Sequence, residues 1–280
     1  MRVSLLITCV VDVVAPDVAE ASVRLLRAAG CEVTCNLDQT CCGQPAWNAG
    51  FADDAAAVAR TTLAALEADL DAGAEAVVVP AGSCATMVRV FWPELFEVVG
   101  DHDAVARARR VGGRTRELSE FLAERADDLP ALRLHRPVEV ALHQSCHMLR
   151  ELRVVDQPAE LAARVDGVDV VPWDGSDRCC GFGGTFSVKL PEASVAMADE
   201  KLRALDAAAP DADLLVGCDS SCLMHLQSRA EATGRPVHVR HLAEVLAAGL
   251  PPDGRHVPDG PDGPDGPAAP GSPTRDEGHR

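Results

Sequence analysis

The sequence has no tyrosine, only 3 tryptophans and 6 phenylalanines, and lysine at just two positions, Lys189 and Lys201. Stacking platforms for single-stranded nucleic acid are built from aromatic side chains, and this scarcity excludes them. The shortage of cations excludes more. Against 43 Asp+Glu stand 26 Lys+Arg, a net charge of −17. Binding to nucleic-acid backbones or anionic lipid needs lysine and arginine to neutralise phosphate, so neither is an expected partner. No uncharged apolar run reaches the roughly 18 residues of a membrane span, and none is expected. A secretory leader is not expected either. Asp12 interrupts the apolar stretch that begins at Val3, and Arg2 is its only flanking charge. The few apolar residues before Cys9 fall short of the ~7–15 of a leader's apolar segment. The segment reads instead as a buried first strand, and the chain as cytoplasmic, where thiols stay reduced.

What the sequence does have is cysteine, eleven in all, in a chain of 280 residues whose apolar content is 47%. At roughly 150 residues per domain this is about two domains, large enough to bury a core without disulfide staples. Residues 251–280 stand apart. They hold 8 Pro and 6 Gly, including three consecutive Pro-Asp-Gly triplets from Pro258 to Gly266. With almost nothing apolar to bury, this segment is expected to be a disordered acidic tail.

Eight of the cysteines form two superimposable sets. Cys9, Cys41, Cys42 and Cys84 recur as Cys146, Cys179, Cys180 and Cys222, at offsets of 137, 138, 138 and 138. The surroundings recur too. Apolar, β-branched runs precede the first and last cysteine of each set: Val3–Thr8, Val138–Leu142, Ala76–Pro80 and Leu214–Val216. Such runs, bounded by Gly or Pro, read as buried parallel strands. Alanine-rich helical stretches lie between them, at Val18–Ala29, Asp53–Leu70 and Glu192–Ala208, with Gly30 and Gly73 as stops. The expected fold is therefore α/β: two similar parallel-sheet halves, 1–130 and 137–250, related by an internal repeat. In open α/β sheets ligands bind beyond the carboxyl ends of the strands, which is where Cys9, Cys84, Cys146 and Cys222 are expected.

Matched quartets argue against cysteine as simple core filler. Adjacent cysteines bridge each other only with strain, and thiol exchange usually employs Cys-x-x-Cys. Four thiolates suit tetrahedral zinc or an iron–sulfur cluster. Structural zinc sites draw on close knuckles, whereas these ligands come from three separate loops, which favours the wider cluster and leaves zinc as the alternative. The metal candidates are thus Cys9, Cys41, Cys42, Cys84, Cys146, Cys179, Cys180 and Cys222. Gly181, Gly183 and Gly184 are expected to direct backbone N–H groups at cluster sulfur, and Gly43 is a further candidate to line the cofactor.

The arrangement Cys…Cys-Cys-Gly…Cys, present twice, resembles the cysteine-rich CCG domain found in heterodisulfide reductases and in iron–sulfur subunits of glycolate- and glycerol-3-phosphate-oxidising enzymes. Finer wording is similar to the lactate-utilisation members of that family: Cys41-Cys42-Gly43-Gln44-Pro45-Ala46, Pro80-Ala81-Gly82-Ser83-Cys84, Ser145-Cys146-His147-Met148, Cys179 through Lys189, and Cys222-Leu223-Met224. The resemblance spans about Val3 to Leu250. It implies an iron–sulfur redox subunit that oxidises L-lactate to pyruvate with two other lactate-utilisation proteins, one carrying ferredoxin-type clusters. A thiol or disulfide reductase of heterodisulfide-reductase type and a zinc-stabilised scaffold are the alternatives. The fuller family pattern supplies five thiolates per half to a non-cubane cluster. Here Ala81 and Asp219 hold the fifth position, and Cys218 comes one residue too early. Four thiolates per half still suffice for a [4Fe–4S] cluster.

Other residues carry smaller expectations. His143 and His147 bracket Cys146; a histidine there could ligate iron, tune the potential or move a proton, but the favoured reading is of loop histidines satisfied by hydrogen bonds. His225 is read as lying on a helix face, and Cys31 and Cys35 as core residues of a strand. Lys189, after the glycine-rich loop, is a candidate to meet a carboxylate substrate. No flavin or nicotinamide fingerprint is evident, and no catalytic residue is assigned.

Overall fold

The computed structural model describes residues 1–235 and 237–252. The tail expected over 251–280 therefore lies outside the described residues, apart from its first two. Among the described residues eight strands form two sheets. The first holds β1 (Arg2–Leu5), β2 (Glu32–Thr34), β3 (Ala76–Val79) and β4 (Thr115–Glu117), in the order β2-β1-β3-β4. The second holds β5 (Leu132–His143), β6 (Val165–Val171), β7 (Leu214–Gly217) and β8 (His238–His241), in the order β6-β5-β7-β8. Every pairing is parallel, and the two orders are the same pattern. The α/β repeat read from cysteine spacing is thus a repeat of topology.

The local causes are legible. β3 is Ala-Val-Val-Val, buried along its whole length, as a central parallel strand requires. The helix Ala52–Asp71 buries Ala55, Ala59, Leu63 and Leu66, one stripe at helical spacing. The helices Pro16–Ala28 and Ala52–Asp71 are followed by Gly30 and Gly73 with positive φ of 75° and 100°, the left-handed turn that ends them. The second half's long helix runs Pro191–Ala208. β5 pairs with β6 on both sides of an irregularity between Arg133 and Val138, so Pro137 is passed without ending the strand.

Each sheet switches direction between its first and third strands. β2 lies to one side of β1 and β3 to the other, and the same holds for β6, β5 and β7. Loops leaving the carboxyl ends of such neighbours diverge and open a crevice. Cys9 follows β1 and Cys84 follows β3, while Cys146 follows β5 and Cys222 follows β7. The two crevices face each other. The Gly82 N–H donates to the Cys218 carbonyl (3.2 Å), and the Ser83 N–H donates to Asp219 Oδ2 (2.8 Å).

The fourth strands end alike. Glu117 closes β4 and His241 closes β8, and each caps the following helix through a reciprocal capping box. Both are buried, and Cys218 lies beside them. Burial pushes the Glu117 carboxyl up to about 7, although the Ser119 hydroxyl and N–H hold it down. Because the folded value lies above the ordinary 4.5, Glu117 favours folding below about pH 4.5, and that contribution is lost as pH rises through 7. Glu117→Gln keeps a neutral cap. The stability difference between variant and wild type, followed by urea unfolding, is expected to move in the variant's favour across this window. A difference that does not change with pH would contradict the assignment.

Candidate metal centre

Each quartet is assembled by the same parts. Thr8 caps the helix Cys9–Val14 through its hydroxyl, placing Cys9 at the first helical position. Cys84 lies in the helix Gly82–Thr86, and Cys222 in the first turn of Ser220–Ala232, which Asp219 caps. The vicinal pairs hang in loops that fold back over these ends. Cys9 and Cys41 sulfurs lie 3.5 Å apart, and those of Cys42 and Cys84 3.3 Å apart. In the second half Cys146 meets Cys179, and Cys180 meets Cys222. All eight cysteines line one cavity of about 100 Å³, with Pro45 of one loop close to Gly184 of the other. All are free thiols.

The glycine after each vicinal pair is required by geometry. Gly43 and Gly181 have φ of 87° and 89°, and a Cβ on them would meet the backbone carbonyls of Ala55 at 2.7 Å and Ser194 at 2.4 Å. In this conformation the Gly43 N–H points at Cys41 sulfur (3.5 Å) and the Gly181 N–H at Cys179 sulfur (3.4 Å). Phe182 N–H adds a contact to Cys180 sulfur at 3.5 Å. Gly183 and Gly184 line the cavity wall, and their carbonyls accept from Phe186 N–H and the Ser187 hydroxyl.

The loops are anchored differently. In the first half Trp92 Nε1 donates to the Cys42 carbonyl (2.8 Å), and Thr62 Oγ1 to the Cys41 carbonyl (3.2 Å). In the second, fully buried Lys201 donates to three carbonyls of the approaching loop: Gly175 (3.0 Å), Ser176 (3.0 Å) and Arg178 (2.7 Å). Burial pushes the Lys201 amine down to about 8, and Cys180 and Cys222 pull it back up.

Protons are shared the same way in both halves. Hydrogen bonds from the Cys42 and Cys9 thiols hold Cys41 down to about 3. Those from Cys146 and Cys180 hold Cys179 down to about 2. Cys9, Cys42, Cys146 and Cys180 are pushed up, first by giving their protons to those thiolates and then by burial. A metal would replace those protons, since thiolate is the ligating form. Soft sulfur donors, N–H groups aimed at two of them in the second half, and closely approaching Sγ atoms fit a thiolate-bound metal or iron–sulfur centre.

The remaining candidates fall elsewhere. Cys218 is buried outside this cavity, beside Glu117 and His241. Cys31 is core, while Cys35 is half-buried and accepts from Gln39 Nε2 at 2.8 Å, both flanking the short β2. His225 pairs with the Ser194 hydroxyl at 3.1 Å. Lys189 does not line the cavity. It is exposed, with its amine 5.1 Å from the centre of the Phe51 ring, so the carboxylate-binding expectation finds no support. His147 lines the cavity, 4.0 Å from Cys146 sulfur. His143 departs from expectation: it is 4% exposed, and neither ring nitrogen has a hydrogen-bond partner among the described residues.

Comparison with known proteins matches the cysteine-rich domain (CCG) family twice, at residues 3–89 and 140–227. Lactate utilization protein A of Anoxybacillus flavithermus is 42% identical over 248 residues, covering 88% of this chain and 99% of its own. The proteins of the same name from Exiguobacterium sp. and Geobacillus kaustophilus are 40% and 41% identical, each over 89% of this chain and 98% and 99% of their own. An aspartate racemase homologue of known structure from Pyrococcus horikoshii overlaps more loosely, at a TM-score of 0.31 and 12% identity over 88% of this chain and 95% of its own.

Proposed function

The chain belongs to the lactate utilization protein A group of the cysteine-rich CCG family, and from that premise we propose that it is an iron–sulfur redox subunit of the system that oxidises L-lactate to pyruvate. The observation that carries this reading is the convergence of two matched thiol quartets on one cavity. A [4Fe–4S] cluster supplies one-electron transfer when bound. Oxidising lactate to pyruvate releases two electrons and two protons, and two quartets match the electron pair. Cys9, Cys41, Cys42 and Cys84 would hold one cluster, and Cys146, Cys179, Cys180 and Cys222 the other. The N–H groups of Gly43, Gly181 and Phe182 would stabilise the added negative charge and raise the potential. Two other lactate-utilisation proteins, one with ferredoxin-type clusters, would complete the system in the cytoplasm and exchange these electrons with the chain.

About eight iron atoms per chain are expected after anaerobic reconstitution, falling to about four in Cys179→Ser/Cys180→Ser. Four in the wild type, abolished by replacing cysteines in either half, would mean one shared cluster. Stoichiometric zinc without iron would overturn the redox reading. Loss of growth on lactate as sole carbon source after deletion of the gene tests the physiological half, and unimpaired growth would contradict it.

A further inference from the structure

The two halves repeat in topology and in their cysteines, but three buried positions behind the second quartet have been exchanged together. By the repeat offsets, His143 stands where the first half has Leu6, Gly217 where it has Val79, and Lys201 where it has Leu63. His143 and Gly217 are paired neighbours at the ends of β5 and β7. A Cβ on Gly217 would lie 3.3 Å from Leu223 Cδ2 and in ordinary contact with His143 Cδ2 at 3.5 Å, so the position directly beside the ring is one where the two branches of a valine would need further space.

The ring is placed without a protein partner. The Ser176 carbonyl lies on the ring's side, but neither ring nitrogen meets it in hydrogen-bond geometry, and it already receives the Gln144 N–H (2.9 Å) and the Lys201 amine (3.0 Å). Buried polar atoms are normally satisfied, and two orphaned nitrogens on one ring need a cause. The ring faces sulfur. One His143 nitrogen and the sulfurs of Cys180 and Cys222 all lie within 4.8 Å of one another. Metal–nitrogen bonds of ~2.0–2.1 Å and metal–sulfur bonds of ~2.3 Å put donors around one tetrahedral ion roughly 3.5–3.8 Å apart. Small side-chain movements bridge the difference.

We propose that His143 gives an imidazole nitrogen to the metal centre of the second quartet, making that centre a mixed sulfur–nitrogen site and the two halves chemically unequal. The proposal rests on the reading that the quartets bind metal, and it adds a ligand that cysteine spacing does not reveal. Leu6 can offer nothing comparable, so the first centre is ligated by sulfur alone. With four thiolates in each set, the added neutral imidazole brings no negative charge of its own, so the two centres differ in donor type rather than in thiolate count.

The test is pulsed electron paramagnetic resonance on the reduced, iron-reconstituted full chain, with histidine either unlabelled or labelled with ¹⁵N. A nitrogen coupling that changes with the label is expected in the wild type and in Cys41→Ser/Cys42→Ser, which retains the second quartet. It is expected to vanish in Cys179→Ser/Cys180→Ser and in His143→Leu, the latter keeping wild-type iron content. Iron bound at the second quartet with no nitrogen coupling, or a coupling that survives in His143→Leu, would overturn the proposal. The labelled wild type decides the point even if the leucine variant folds poorly. Failure to take up iron would count against the redox reading alone. Cobalt(II) titration of apo Cys41→Ser/Cys42→Ser then decides the ligand, with visible bands that shift on adding His143→Leu supporting it and identical bands refuting it.

Discussion

Gly181→Ala is expected to destabilise the chain by about 3 kcal/mol or more and to cost it the second metal centre. Part of this is conformational, since a residue with a Cβ in the left-handed region costs roughly 1–2 kcal/mol. The rest is collision. The added Cβ would lie 2.4 Å from the Ser194 carbonyl oxygen and 3.0 Å from Met197 Cβ. Ser194 is part of the helix Pro191–Ala208, so its carbonyl cannot swing aside without disturbing that helix. Its hydroxyl also binds the Gly181 carbonyl at 2.8 Å, so the loop cannot lift away freely. Both routes of relief pull Cys179 and Cys180 out of register with Cys146 and Cys222. Gly30→Ala is the control: it shares a positive φ of 75° but has nothing within 4 Å of the added Cβ. Urea unfolding and iron content measure the two effects. Equal losses in the two variants would mean that backbone conformation alone explains the glycine.

Lys201→Leu, which copies Leu63 of the first half, is expected to cost about 4 kcal/mol. Lys201 has all three N–H groups on carbonyls of residues 175–178, directly ahead of Cys179. Its amine also lies 5.0 Å from the centre of the Trp173 ring. Leucine would remove three charge-assisted hydrogen bonds, leaving the Arg178 carbonyl without its donor and the Gly175 and Ser176 carbonyls with one partner each, and hydrogen bonds to a charged group contribute about 1.5–3 kcal/mol each. The expected signature is local. Iron should fall toward about four per chain while the first quartet, anchored by Trp92 and Thr62, keeps its share. Uniform loss from both quartets, or a variant as stable as wild type, would contradict this role.

These two positions mark where sequence reading succeeds and where it stops. The strands that carry the first and last cysteines are short apolar runs, and their burial follows from composition. From them the placement of Cys9, Cys84, Cys146 and Cys222 beyond strand ends follows by topology. β4 and β8 were not legible. Thr115-Arg116-Glu117 and His238-Val239-Arg240-His241 are edge strands with polar sequences, and nothing in an isolated Thr-Arg-Glu announces that Glu117 is buried. Lys201 was hidden for a related reason. In an alanine-rich helix a lysine reads as the solvent face, and only the fold brings three carbonyls over it. His143 was visible beside Cys146, but its lack of partners is a property of packing. Comparing the aligned halves residue by residue, His143 against Leu6 and Lys201 against Leu63, is the signal that singles both out.

The bond from Ser83 to Asp219 crosses between the halves in one direction only, because the position matching Asp219 is Ala81, which has no carboxylate to return it. Two identical half-chains associating as a dimer could not make that contact once without making it twice, since one gene would write both copies. Joining the copies in a single polypeptide removes that constraint. Each copy can then accumulate substitutions its twin never sees, and a capping carboxylate, a buried amine and an unpaired imidazole have all settled on the same side. The single chain is thus a repeated scaffold with a direction, and its shared cavity has two distinguishable ends.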